Sequence, residues 1–193
     1  MATTKRTLVA LVEDRPGVLN RMASLCRRRG FNIESLAVGH TQTPNISRMT
    51  IVVEGSKPMV DQLRKQLDKL VVTVKVSDIS DDNIVVRELA LVKVAATAAT
   101  RSEIMQIVDI FRAGIVDVAA DSVTIEVTGD EEKIESLLSL LDDFGIKEVA
   151  RTGRVAMTRG GTSLDNGRKP AAASHRKTAG SHVDRRREEG ARD

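Results

Sequence analysis

The 193-residue sequence has no tryptophan, no tyrosine and only three phenylalanines. Its cores must therefore be built from Val, Leu, Ile, Ala and Met, and a sheet of the kind that stacks unpaired bases is excluded. Cys26 is the only cysteine, which rules out an internal disulfide framework and a cysteine-clustered zinc site and suits a reducing cytoplasm. Of the three histidines, His175 and His182 lie near the C-terminus. No apolar run approaches the ~18 residues of a membrane helix. No secretory signal is expected either, because the apolar run Leu8 to Val12 is short and acids follow it directly.

What is present is a chain 41% hydrophobic and 30% charged, the balance of a soluble globular protein with one or two small domains. Its formal net charge of +3 is unevenly placed: residues 159–193 hold nine Lys/Arg and five Asp/Glu, which leaves 21 against 22 for residues 1–158. The last stretch has only Leu164 and Val183 as large apolar residues. That is too little to offset ordering entropy, so 159–193 is expected to be a disordered polar tail. Arg185 to Arg187 within it read as a solvated charge run.

Residues 1–158 carry one pattern twice. A strand, Thr7 to Glu13, precedes a helix whose apolar residues Val18, Met22, Leu25 and Cys26 fall on one stripe. Gly30 closes that helix as a left-handed cap. Two strands, Phe31 to His40 and Arg48 to Glu54, flank a TPN turn, and in the second of them Met49, Ile51 and Val53 alternate with Arg48 and Thr50. A helix striped with Val60, Leu63, Leu67 and Leu70 leads to the strand Val71 to Val76. After the polar joint Asp78 to Asn83 the order repeats: a strand Glu88 to Ala96, a Thr100-Arg101-Ser102-Glu103 capping box, and a stripe of Ile104, Ile107, Val108 and Phe111. Gly114 is expected to break that helix. The strands Ile115 to Val118 and Val123 to Thr128, a stripe of Ile134, Leu137, Leu138 and Leu141, and a last strand from Gly145 to Ala150 complete the copy.

The predicted fold class is therefore α+β: two tandem ferredoxin-like βαββαβ units, each a four-stranded antiparallel sheet with two helices on one face. They occupy residues 1–78 and 85–158, joined by a linker at 79–84. Leu8, Ala10 and Val12 alternate with Val9 and Leu11, so this strand is apolar on both faces while helices cover only one. A second copy is the expected cover for the other face or the open edges, which predicts at least a homodimer.

The corner EDRPGVLNRMASL, residues 13–25, is the candidate site. Pro16 presets φ for a first helical turn, and Gly17 removes the Cβ that would keep a ligand from the main chain. The N–H groups of Gly17, Val18 and Leu19 then face an anion at the positive end of the helix dipole, and Asp14 beside them can accept from an ammonium. Donors for a carboxylate beside an acceptor for an amine describe an amino-acid site. An ordinary tight turn reads the same way from spacing alone. The equivalent corner of the second unit, AATAATRSE, has neither Pro nor Gly, and that difference favours a ligand corner in the first unit.

An enzyme needs a nucleophile, a base or a metal set, and the candidates are poor. Cys26 falls on an apolar stripe and reads as core, and His40 reads as a solvent-exposed side chain at a strand end. The pairs Asp81-Asp82, Glu131-Glu132 and Asp142-Asp143 read as solvated faces or dipole complements rather than metal ligands. Arg27 to Arg29 suit the negative end of a helix, so no nucleic-acid partner is expected.

The segments LVEDRPGVLNRMASL, RRRGFNIESLAVG, SRMTIVV, KQLDKLVVTVKV, RELALVKV and IFRAGIVDV resemble the small, regulatory subunit of acetolactate synthase, also called acetohydroxyacid synthase, from about Lys5 to Gly160. The first unit is similar to an ACT domain, a module that binds small effectors. The resemblance implies a chain without activity or cofactor of its own. Such a chain joins a catalytic large subunit that uses thiamine diphosphate, magnesium and FAD, activates it, and confers feedback inhibition by a branched-chain amino acid, usually valine. It further implies an effector pocket between two ACT units of a dimer. Asp14, Gly17, Val18 and Leu19 match the loop and helix start of one subunit, and Asn32 and Ile33 the facing strand of the other. Asn32 would bond the amino-acid head, while Val18, Leu19 and Ile33 would line the side-chain pocket. Some members place Asn where this chain has Asp14; an acid there favours the ammonium but stands closer to the carboxylate. A free-standing amino-acid sensor acting on another partner is the alternative.

Overall fold

The computed structural model describes residues 4–160; most of the expected tail, 161–193, lies outside them. Among these residues the chain runs β1 (Thr4–Glu13), α1 (Val18–Arg28), β2 (Ile33–His40), β3 (Ile46–Gly55), α2 (Lys57–Asp68), β4 (Thr73–Asp78), β5 (Ile84–Ala95), α3 (Arg101–Ile110), β6 (Gly114–Val118), β7 (Ser122–Gly129), α4 (Glu131–Leu141), β8 (Ile146–Arg151) and β9 (Val155–Thr158). The first sheet has the order β2-β3-β1-β4 and the second β6-β7-β5-β8, every pairing antiparallel. Both are the ferredoxin-like arrangement expected. No helix among the described residues is long and apolar enough to cross a membrane.

Each helix buries its stripe. Val18, Met22, Leu25 and Cys26 of α1 and Val60, Leu63 and Leu67 of α2 close on Leu8, Ala10, Val12, Met49, Ile51 and Val53. Ile104, Val108, Ile134, Leu137 and Leu141 close on Ala90, Val92, Val94, Val123, Ile125 and Val127 in the second unit. Cys26 is fully buried and burial pushes its thiol up, so it is packing material and not a nucleophile.

Helix ends follow local chemistry with three departures. At the end of α1, Gly30 at φ 73° bonds to the Arg27 carbonyl and Phe31 N–H to the Cys26 carbonyl, the doubly bonded left-handed cap. Departing from expectation, Pro16 is not the first helical residue. Gly17, at φ 84° and ψ −6°, is the helix N-cap, and these angles are those of the third residue of a type II turn, with Pro16 preceding it. The expected Thr100–Glu103 capping box is also displaced. Thr97 N–H donates to Thr100 Oγ1 at 3.0 Å and Thr100 N–H to Thr97 Oγ1 at 3.3 Å, so the reciprocal bonds form three residues upstream, where the chain first bends into the helix. Finally, α3 stops before Gly114. Arg112 takes φ 49°, and Ala113 N–H reaches the Val108 carbonyl at 2.9 Å.

A left-handed Arg is strained by its Cβ. Arg112→Gly is therefore expected to stabilise the chain by roughly 0.5–1 kcal/mol, net of the entropy a glycine adds to the unfolded state. A rise in the urea midpoint at unchanged slope is the readout, and an unchanged or lower midpoint would refute it.

The largest departure concerns the cover of the first sheet. β5 is 12 residues long and starts at Ile84, at the edge of the expected linker, and an additional strand, β9, pairs with its first four residues. Ile84, Val86 and Ala156 of this ribbon pack on Val9 and Ile79. Val9, Leu11, Thr50 and Val52 of the outer face are consequently at most 3% exposed without a second copy. The chain thus covers for itself the face for which another copy was expected. The sheet edges and the outer side of the second sheet, with Leu91 38% exposed, remain open.

Polar contacts fasten the joint. Arg6, 7% exposed, bonds Asp78 and Asp81, and Lys57 reaches the same Asp81; these bonds, from Arg6 first, hold the Asp81 carboxyl down at about 2. Arg48 Nη2 donates to the Ala156 carbonyl at 2.7 Å, and Arg154 N–H to Ser35 Oγ at 2.7 Å.

Candidate functional site

The strand-to-helix corner of the first unit is fixed from both sides. Glu13 N–H bonds the Val72 carbonyl at 2.9 Å and Asp14 N–H the Asn45 carbonyl at 2.8 Å, while the first intrahelical bond of α1 runs from Arg21 N–H to the Gly17 carbonyl at 3.1 Å. The N–H groups of Val18, Leu19 and Asn20 therefore precede the helical ladder. No side chain caps them, and no acidic residue lies in the first turn. A Cβ placed on Gly17 meets nothing within 4 Å. Within one chain, glycine is required here for its positive φ, and the space before the helix end is open. At the matching corner of the second unit Thr97 and Thr100 seal the bend with their own hydroxyls.

The expected side chains are distributed as follows. Asp14 is exposed, and its Oδ2 stands 3.1 Å from Nδ1 of His40 at the end of β2. Val18 is 3% exposed and belongs to the core of its own unit, whereas Leu19 is 46% exposed. Asn32 is exposed, its Nδ2 donating to Glu34 Oε1 at 2.8 Å, and Ile33 is half-buried against the core. These two do not meet the corner within one chain. Ile33 pairs with Val53, which pairs with Arg6, seven residues before Glu13 along β1 and so about 23 Å from it.

Sequence reasoning missed His40 as a neighbour of Asp14 and Asn45 as the residue that anchors it. Asn45 is left-handed at φ 63°, and the TPN turn was its only signal. A different feature, a cleft of about 480 Å3 between the two units, contains none of the expected residues; Lys5, Glu34, Glu88, Glu131, Arg151 and Arg154 give it its charge. Its cations and acids pair with one another: Arg154 with Glu88 and Glu131, Arg151 with Glu88, Lys5 with Glu131. It is a clasp between units.

The model of the AHAS small subunit-like ACT domain matches residues 8–75, and that of the small subunit of acetolactate synthase matches residues 87–160. The chain belongs to the acetolactate synthase small-subunit family. Its relatives include the probable acetolactate synthase small subunit of Archaeoglobus fulgidus, 56% identical over 156 residues, covering 81% of this chain and 98% of that protein. The small subunit from Bacillus subtilis is 51% identical over 158 residues, covering 81% and 91%. The crystal structure of the acetolactate synthase small subunit from Thermotoga maritima superposes with a TM-score of 0.77 at 42% identity, covering 82% of this chain and 99% of that one. The Pro-Gly corner thus lies in the family's ACT domain, and the sealed Thr97–Thr100 corner in the segment matched by its small-subunit model.

Proposed function

We propose that the chain is a non-catalytic regulatory subunit that binds and activates the catalytic subunit of an acetolactate synthase and makes it sensitive to feedback inhibition by a branched-chain amino acid, valine foremost. In this reading thiamine diphosphate, magnesium and FAD belong to the catalytic partner. The observation that carries the effector site is the α1 corner, where main-chain N–H groups that no side chain caps, an open approach over Gly17 and the Asp14 carboxylate offer both halves of an amino-acid head their partners.

The missing half of the pocket follows from the place of β2 at the edge of its sheet. Two copies of β2 pairing antiparallel about a two-fold axis set the start of one strand beside the end of the other. The end, His40, touches Asp14, so Asn32 and Ile33 of one copy reach the Gly17 corner of its partner, twice per dimer. An amino acid bound there holds one arrangement of the two ACT units over others and shifts the catalytic subunit by no more than its differential affinity.

The test is calorimetric titration of valine, with leucine and alanine as comparisons, into the purified chain and into Gly17→Asp and Asn32→Ala. Saturable valine binding, lost by at least about tenfold in both variants while the dimer persists in sedimentation, is the expected result, to be followed by inhibition of the catalytic subunit. Heat from none of the three amino acids overturns the effector site.

A further inference from the structure

We infer that His40 is a specificity-determining residue of the effector pocket, holding the Asp14 carboxylate through its imidazole so that amino-acid binding is linked to release of a proton. The inference rests on the effector reading above and concerns the regulation of that site. It starts from one contact: His40 Nδ1 stands 3.1 Å from Asp14 Oδ2, beside the uncapped start of α1, the two side chains being 84% and 44% exposed. Asp14 is the acceptor the corner offers to an ammonium. Its main chain is fixed by the bond to Asn45, and His40 competes with a ligand for the oxygens of its half-exposed carboxylate.

The charges around the pair decide the sign. On the corner, Arg15 is occupied by Glu13. On β3, Ser47 lies opposite His40 and Arg48, opposite Gly39, extends to the Ala156 carbonyl. A protonated His40 binds Asp14 as an ion pair and places a cation where the effector's ammonium must go. A neutral His40 donates one hydrogen bond to a single carboxylate oxygen and leaves the second to the ligand. Binding of a zwitterion therefore favours the neutral imidazole, and by linkage a protonated His40 must lose its proton on binding. The neutral form selects for ligands carrying an ammonium next to a carboxylate. It gives nothing to a 2-oxo acid, which lacks the cation that competes for Asp14.

The experiment is valine titration of the full chain at pH 5.5, 6.5, 7.5 and 8.0 in pairs of buffers with different ionisation enthalpies, for the unaltered protein, His40→Gln and Asp14→Asn. Valine's own groups do not titrate in this window. The expected result is an affinity that falls about tenfold from pH 7.5 to 5.5 with up to one proton released per site, and no pH dependence or proton release in either variant. An equal pH dependence in His40→Gln, or none in the unaltered protein, overturns the inference and leaves the effector site standing. Absence of valine binding at every pH in the series overturns the effector site and the inference together.

Discussion

Placing alanine at Gly153 is expected to lower the unfolding free energy by about 3 kcal/mol, or roughly 10 °C in midpoint. The reason is purely steric. A Cβ built on Gly153 lies 2.3 Å from the Leu36 carbonyl oxygen, 2.4 Å from the carbonyl carbon and 2.9 Å from Ala37 N. All three are main-chain atoms of β2, which is held by β3 and cannot rotate aside. Relief requires lifting the connector between β8 and β9 off the first sheet, and that threatens the Arg154–Ser35 and Arg48–Ala156 hydrogen bonds. Gly129→Ala is the control. Its Cβ also overlaps, at 2.6 Å, but with Cδ of the half-buried Lys133, a flexible side chain that can swing away at the cost of its Nζ bond to the Thr128 carbonyl. A thermal scan in which the two alanine variants fall equally would show that the connector yields as easily as a lysine, and the close packing of the units on β2 would have no energetic weight.

The contacts at Gly153 also show which parts of the fold could be read from sequence. The helices and the strands they cover were legible because their signal is local: α1 buries the four residues of its predicted stripe, and Gly30 caps it where a glycine follows three arginines. The ribbon was not. Val155–Thr158 has only four residues, too few for a periodic signal, and it becomes a strand by pairing with residues 84–87 far upstream. The two-sided apolarity of β1 was read correctly as a demand for cover, but a demand does not name its supplier, and the chain supplied the cover itself.

The candidate site divides along the same line. Pro16, Gly17 and the contrast between the two corners stood in the sequence, although the turn places Pro16 outside the helix. Asn32 and Ile33 were assigned through the family resemblance, because no local pattern ties the start of β2 to a corner at the far end of the same sheet. The pairing of His40 with Asp14 needs β2 to end beside that corner, a matter of sheet order and register. Val18 had three expected duties, in the core stripe, at the helix N–H end and in the lining of the side-chain pocket; its side chain, 3% exposed, serves the core while its N–H remains at the helix end.

Glu88 is where the second large loss is expected. Its side chain is 8% exposed and accepts from Arg151 Nη2 at 3.0 Å and from Arg154 Nε at 3.5 Å. Arg154 continues to Glu131 at 2.7 Å, and Glu131 takes Lys5 of the first unit. Removing Glu88 leaves two guanidinium groups side by side, Arg154 only 16% exposed, with one acceptor fewer between them. Breaking a buried pair from one side costs about 3–5 kcal/mol. Arg151 at 30% exposed is partly hydrated, so Glu88→Ala is placed at about 2–3 kcal/mol and Glu88→Gln, which keeps the volume and one acceptor, at about 1–2 kcal/mol. Lys5→Ala cuts the same chain of charges at its wet end, where the partners are 49% and 38% exposed, and should cost under about 1 kcal/mol and less still in high salt. Urea unfolding of the three variants at low and high salt checks the ranking. Equal, salt-sensitive losses at Glu88 and Lys5 would make the clasp a surface charge pattern, whereas a salt-resistant loss at Glu88 alone places the joint between the units on its buried carboxylate.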